Sequence, residues 1–171
     1  HQYEPANRDN YHAGSQLAFG EYTNTFFDFG KAKVILSLDS DFANDGAASA
    51  RYARDFAAGR RVRDGKKSMN RLYVVESSPT ATGSLADHRM ALGTGAIEAL
   101  ALEVAHALNI GTEGAAPADM GDRQRWISAL VSDLKANKGS SIVIAGDHQS
   151  AAVHALVHAI NEALGNIGKT V

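Results

Sequence analysis

Apolar and polar positions divide the chain into short apolar runs separated by longer helical stripes. Three runs have strand length: Val34-Ile35-Leu36-Ser37-Leu38, Leu72-Tyr73-Val74-Val75 and Ser141-Ile142-Val143-Ile144-Ala145. None alternates with polar residues, which is the form expected of strands covered on both faces. Between them the spacing is helical. Tyr52, Ala53 and Phe56 predict a helix over Ala47 to Ala58. Ile97, Leu100, Ala101, Val104 and Leu108 form one stripe, with Thr94 as the expected N-cap and Asn109-Ile110-Gly111 as the stop. Asp122 is the expected cap of a further helix that turns Trp126, Ile127, Leu130, Val131 and Leu134 inward and ends near Gly139. The last helix, about Ser150 to Leu164, buries Val153, Leu156, Val157, Ile160 and Leu164 before Gly165 ends it.

The amino-terminal part is more polar and more aromatic. A short helix is expected from about Asp9 to Phe19, ending at Gly20. Tyr22, Phe26, Phe27 and Phe29 make the stretch Glu21 to Gly30 a cover for the sheet edge, and Thr112 to Met120 is the best linker candidate. Strands alternating with helices of ten or more residues argue for a parallel sheet with right-handed crossovers. The expectation is one α/β, Rossmann-like domain over residues 1–171.

A length of 171 residues allows a proper core, and a net charge of −2 gives no reason to expect nucleic acid or an anionic membrane as partner. No run approaches the roughly 18 apolar residues of a membrane span, so no direct membrane insertion is expected. The absence of cysteine excludes disulfides, cysteine-ligated zinc and any iron–sulfur cluster held by these residues. His1 to Asn10 has neither the basic nor the apolar region of a signal peptide. The abrupt ends suggest a piece of a larger protein.

Candidate chemistry gathers where strands end, since ligands of open α/β sheets bind beyond the strands' carboxyl ends. The second run exits into Glu76 and a Ser/Thr/Gly loop that closes at Ala86-Asp87-His88. Glu76 is suited either to ribose hydroxyls or to capping the loop amides of Ser78 to Thr82. Thr80, Thr82 and Ser84 are ligand hydroxyls or, more simply, turn formers. The first run exits into Asp39 and Asp41, which would repel a pyrophosphate unless a metal intervened. No GxGxxG or Walker A pattern is present.

Three further groupings have ordinary structural readings. His154 and His158 are spaced to share a metal, but no glutamate lies between them as in HExxH, and only His148 or Asn161 offers a third ligand. They are read as flanking the apolar stripe, and no metal site is assigned. Asp87-His88-Arg89 is not a triad fragment, because adjacent Asp and His rarely orient each other and no GxSxG elbow accompanies them. Arg60, Arg61, Arg63, Lys66 and Lys67 form a solvated basic loop or a docking surface for an acidic neighbour.

The phrases YEPANRDN, SLDSDF, MNRLYVVES, TGSLADHR, AGDHQ and ALGNIGKT, taken together, resemble molybdopterin oxidoreductases of the dimethyl sulfoxide reductase type. The likeness is closest to the molybdopterin-oxidoreductase-like part of the large iron–sulfur subunit of alternative complex III, and it runs through nearly the whole chain. It implies the α/β domain that in cofactor-bearing relatives holds a pterin guanine dinucleotide. Those relatives carry a G-x-N-P-like turn where Asp39-Ser40-Asp41-Phe42 stands, and Asp-Pro-Arg where Glu76-Ser77-Ser78 stands. Their T-x-x-A-x-x-A-D is matched in part by Thr80, Thr82, Ala86 and Asp87. Their P-G-T-D becomes Leu92-Gly93-Thr94-Gly95, losing the aspartate that reads guanine, and their L-G-N-I-G-R becomes Leu164 to Lys169.

If the cofactor is retained, the resemblance assigns Glu76, Thr80, Thr82, Asp87 and Thr94 to it. The departures fall on the ligand side, so the first expectation is a non-catalytic scaffold that has lost the molybdenum cofactor. It also implies iron–sulfur clusters in another part of the parent, and partners among the parent's other domains and respiratory-complex subunits. The parent would act in quinol oxidation and electron transfer on the periplasmic side of the bacterial inner membrane. A working pterin dinucleotide-binding domain and a stand-alone small-nucleotide-binding protein are the rival expectations.

Overall fold

The computed structural model describes residues 7–63, 65, 68–111 and 122–171. The expected linker, Lys66 and Lys67 of the basic run, and the side chain of Asp122 lie outside this description. Four strands, β1 (Val34–Leu38), β2 (Arg71–Glu76), β3 (His88–Ala91) and β4 (Ser141–Ala145), form one parallel sheet in the order β3-β2-β1-β4. The helices are α1 (Asp9–Phe19), α2 (Ser49–Gly59), α3 (Ala81–Ser84), α4 (Thr94–Ala107), α5 (Asp122–Ala136) and α6 (Ala151–Ala163). The architecture is α/β and Rossmann-like.

Alternation along the strands builds two cores. Val34, Leu36, Leu38, Tyr73, Val75, Val143 and Ala145 face α4, α5 and α6, meeting Ile97, Leu100, Val104, Ile127, Leu130, Leu134, Val153, Val157 and Ile160. Ile35, Leu72, Val74, Ile142 and Ile144 face the other way, against Phe29, Phe42 and Phe56. The aromatic segment therefore lies over a face of the sheet and not, as its composition suggested, over an edge. Phe29 is stacked on Phe42 at 4.3 Å, while Tyr22 and Phe26 stay exposed.

Two short elements were not anticipated. β3 has no apolar run, and three of its four residues are exposed. It forms because its register pairs Tyr73 with His88 and Val75 with Met90, and the His88 ring stacks on Tyr73 at 4.5 Å. Burial and a hydrogen bond to Asp133 push the Tyr73 hydroxyl up to about 12. The four-residue α3 is capped by Thr80, whose hydroxyl accepts from the Gly83 N–H at 2.9 Å. At α4 the N-cap is Gly93; Thr94 is the first helical residue and does not cap. Ser150 caps α6 by accepting from the Val153 N–H.

The outer flank of β4 is closed by side chains from α6 and the tail behind it. Asn161 accepts from the Val143 N–H at 3.1 Å and donates to the Val143 carbonyl at 2.8 Å, reproducing a neighbouring strand. Asn166 accepts from the Ser141 N–H, and the Thr170 hydroxyl donates to the Ser141 carbonyl at 2.6 Å. α1 crosses α6 at close range, since a Cβ on Gly14 would lie 2.3 Å from that of His154.

Candidate functional site at the carboxyl end of the sheet

The order β3-β2-β1-β4 places the chain reversal between β1 and β4, and ligands of such sheets sit in the crevice at that switch point. The loops that flank it begin at Asp39 and Gly146. They approach so closely that a Cβ on Gly146 would lie 2.1 Å from the Asp39 carbonyl oxygen. Asp39 has φ of 57°, in the left-handed region that non-glycine residues rarely adopt. Aspartate enters this region more readily than most side-chain-bearing residues, because its short polar side chain can be held by local hydrogen bonds.

Those contacts converge on the carboxylate. Asp39 Oδ1 accepts from the Ser77 N–H at 3.1 Å. Oδ2 accepts from Gln149 Nε2 at 3.1 Å and pairs with His148 Nε2 at 2.9 Å. The hydroxyls of Ser77 and Thr94 stand at 3.4 and 3.5 Å from Oδ2, at the outer limit of such bonds. Gln149 is buried, whereas the His148 side chain is 58% exposed. Asp41 is engaged differently: it accepts from the N–H and hydroxyl of Thr82 at 2.8 and 2.7 Å, tying the β1 loop to α3.

Glu76, one strand over, is 1% exposed. One oxygen takes the Arg89 guanidinium at 2.5 Å and the other the Thr80 hydroxyl at 2.6 Å. Gly83 roofs it so closely that a Cβ there would fall 1.9 Å from Glu76 Oε1. Neither ribose recognition nor capping of loop amides describes this carboxylate; it is an internal ion pair with a hydroxyl donor.

The five residues assigned by resemblance do not form one site. Glu76 and Thr80 bind each other, and Thr82 is fully buried with its hydroxyl bonded to Asp41 and accepting from the Ala43 N–H. Asp87 lies at the start of β2, at the opposite end of the strands, accepting from the Leu72 N–H at 2.7 Å. Burial pushes the Asp87 carboxyl up, but Arg60 Nη1, 2.8 Å from both carboxylate oxygens, and the Leu72 N–H together hold it below the usual carboxylate range. Arg60 therefore leaves the solvated basic run and becomes a structural cation, bonded also to the Leu85 and Asn70 carbonyls. Only Thr94 keeps an exposed position beside the switch point.

These positions do not fit a pterin dinucleotide held by the expected set. The buried members already use their polar atoms on one another, and Asp87 faces the wrong end of the sheet. Gly93 and Gly95, where the resemblance expects a Gly-Thr-Asp turn, have open space around the position of a Cβ. The two hollows described lie elsewhere. One of about 290 Å³ is bounded by Leu108, Lys135, Lys138 and Leu164, and one of about 380 Å³ by Arg89, Leu92, Arg123 and Trp126.

The paired histidines are structural in their surroundings. His154 meets the Tyr11 ring edge-on and His158 lies against Phe19, both in the α1–α6 interface. Burial lowers the pKa of each. The Asn161 amide is committed to β4, and no group of metal-ligating side chains occurs among the described residues.

Sequence reading found Asp39 and His148 but did not join them, and it missed Ser77 and Gln149. The available signal was the pair of polar exits SLDSD and AGDHQ; their meeting depends on strand order. Neither the protein-family models nor the curated proteins contain a match to this chain.

Proposed function

We propose that this chain is the Rossmann-like domain of a molybdopterin-oxidoreductase-like respiratory subunit and serves there as a scaffold without a molybdenum cofactor. The observation that carries the reading is Glu76. Its carboxylate stands where a strand-exit acid would serve a ligand, yet Arg89, Thr80 and Gly83 enclose it. Asp39 and Asp41 add acidity where a phosphate turn would need N–H donors, which opposes an anionic dinucleotide. The phrase resemblance supplies the family, and the parallel sheet agrees with it.

In this reading the iron–sulfur clusters and the quinol chemistry belong to other parts of the parent complex, on the periplasmic side of the membrane. The domain contributes a rigid sheet and surfaces for its neighbours. No helix among the described residues is long and apolar enough to cross a membrane. Metal and pterin analysis of the intact parent tests the proposal. The expected result is no stoichiometric molybdenum or tungsten and no guanine dinucleotide; their stoichiometric presence would overturn it. Calorimetric titration of this chain with GDP, GMP and NAD separates the scaffold from a small-nucleotide-binding protein, and no micromolar binding is expected.

A further inference from the structure

We propose that α1 is an acid-released arm, docked on α6 only while His154 and His158 are neutral. Of the eleven residues of α1, Tyr11, Gly14 and Ser15 are buried, whereas Leu17 and Phe19 stay exposed. The footing of the helix is two imidazoles. Tyr11 meets His154 edge-on at 5.6 Å, and Phe19 lies tilted against His158 at 4.8 Å. Gly14 packs against His154 with no room for a side chain. Rings used in this way as apolar surface serve best without charge. The segment behind α1 is tied to it, the Thr23 N–H donating to the Ser15 hydroxyl and the Thr25 N–H to the Tyr11 hydroxyl. Phe29 is buried in the opposite core, which places the hinge between Thr25 and Phe29.

The interface has nowhere to put the protons. His154 Nε2 is buried without a hydrogen-bond partner among the described residues, so a proton there becomes a charged donor with no acceptor. His12 Nδ1 and Thr23 Oγ1 are buried and unpartnered as well. Elements docked through unpaired polar atoms sit at the low end of local stability and open first. The charges around the two rings do not reverse this. The Asp147 carboxylate and main chain favour the His154 imidazolium, but burial outweighs them, and His158 and Arg8 oppose it. Arg8 is itself paired with Asp147 at 3.1 Å. His158 faces Phe19 and is lowered by burial. α1 adds only Asp9 and His12, and α6 only the exposed Glu162. β4 carries no charged residue, and Glu98 of α4 is bonded to the Ser150 hydroxyl. The docked state therefore binds fewer protons than the released one. Docking is strongest above about pH 6.5 and weakens as pH falls from there toward the depressed docked values.

The proposal does not depend on the scaffold reading, and its failure would leave the metal and pterin analysis of the parent unaffected. Amide hydrogen exchange of the 171-residue chain, expressed as protection factors, tests it between about pH 7.5 and about pH 5.5. The α1 amides are expected to lose protection by roughly tenfold or more over that interval and to stay below β1 and β4 throughout. Protection of α1 equal to that of β1 and β4 at the acid end would show that it opens only with the whole fold, and would overturn the proposal. In His154→Gln/His158→Gln, whose side chains do not titrate there, the acid loss is expected to vanish; its persistence would sink the assignment. If that variant leaves α1 unprotected at both ends, His158→Phe keeps a ring against Phe19 and removes one titration. Its loss is expected to be about half as steep on a logarithmic scale, and an unchanged slope would overturn the proposal.

Discussion

Glu76 and Asp39 end neighbouring parallel strands, are both buried, and are held in opposite ways. Glu76 is compensated by charge: Arg89 reaches it from β3, Thr80 donates from the loop, and Gly83 leaves no space above. Asp39 is compensated by hydrogen bonds that arrive from three separate segments. The first arrangement is framework, because an opposite charge, a capping hydroxyl and a close glycine enclose the carboxylate. The second ties the exits of β1, β2 and β4 and the start of α4 to one carboxylate. A strand-exit acid therefore gains its meaning from the charge and origin of its partners, and its position alone does not decide it.

The contrast can be broken experimentally. Arg89→Met leaves the Glu76 carboxylate buried without its counter-charge and is expected to cost roughly 3–5 kcal/mol in urea unfolding. Glu76→Gln added to it should recover much of that loss; a single variant as stable as the parent would show that the ion pair is not framework. Gly83→Ala forces a methyl into the carboxylate and is expected to cost roughly 2 kcal/mol by the same measurement. At the other exit, Asp39→Ala and Asp39→Gly lose the same contacts, yet alanine keeps the left-handed strain. The glycine variant is expected to be more stable than the alanine variant by roughly 1 kcal/mol. Equal stabilities would remove strain from the account of Asp39.

The smallest effect separates both exits from the acid response of the fold. Burial lowers the pKa of His154 and His158, so the unfolded chain binds more protons than the folded one below the ordinary histidine value. Their neutral forms favour folding fully above about pH 6.5, and that contribution is lost as pH falls through their depressed folded values. The Tm is expected to fall between about pH 7.5 and about pH 5.5, with a shallower slope in His154→Gln/His158→Gln. An unchanged slope would place the titration elsewhere.

The strands and helices that carry large apolar stripes were legible because their burial is written into local sequence. β1 and β4 have the boundaries their apolar runs predicted, and β2 extends one residue at each end. β3 was illegible because HRMA holds its place through Tyr73 and Glu76, residues of another strand, and not through its own hydrophobicity. The candidate site divided in the same way. Acidic exits are visible in sequence, but whether one is sealed depends on Arg89, and whether another is cradled depends on His148 and Gln149, more than a hundred residues away. Position along the chain did not reveal that Asp87 returns to the opposite end of β2.

Asn161, Asn166 and Thr170 give the sheet a direction of growth. With the flank of β4 already paired by side chains, a further strand cannot be added there. A neighbour that pairs by its main chain is therefore turned away from Ser141 and Val143.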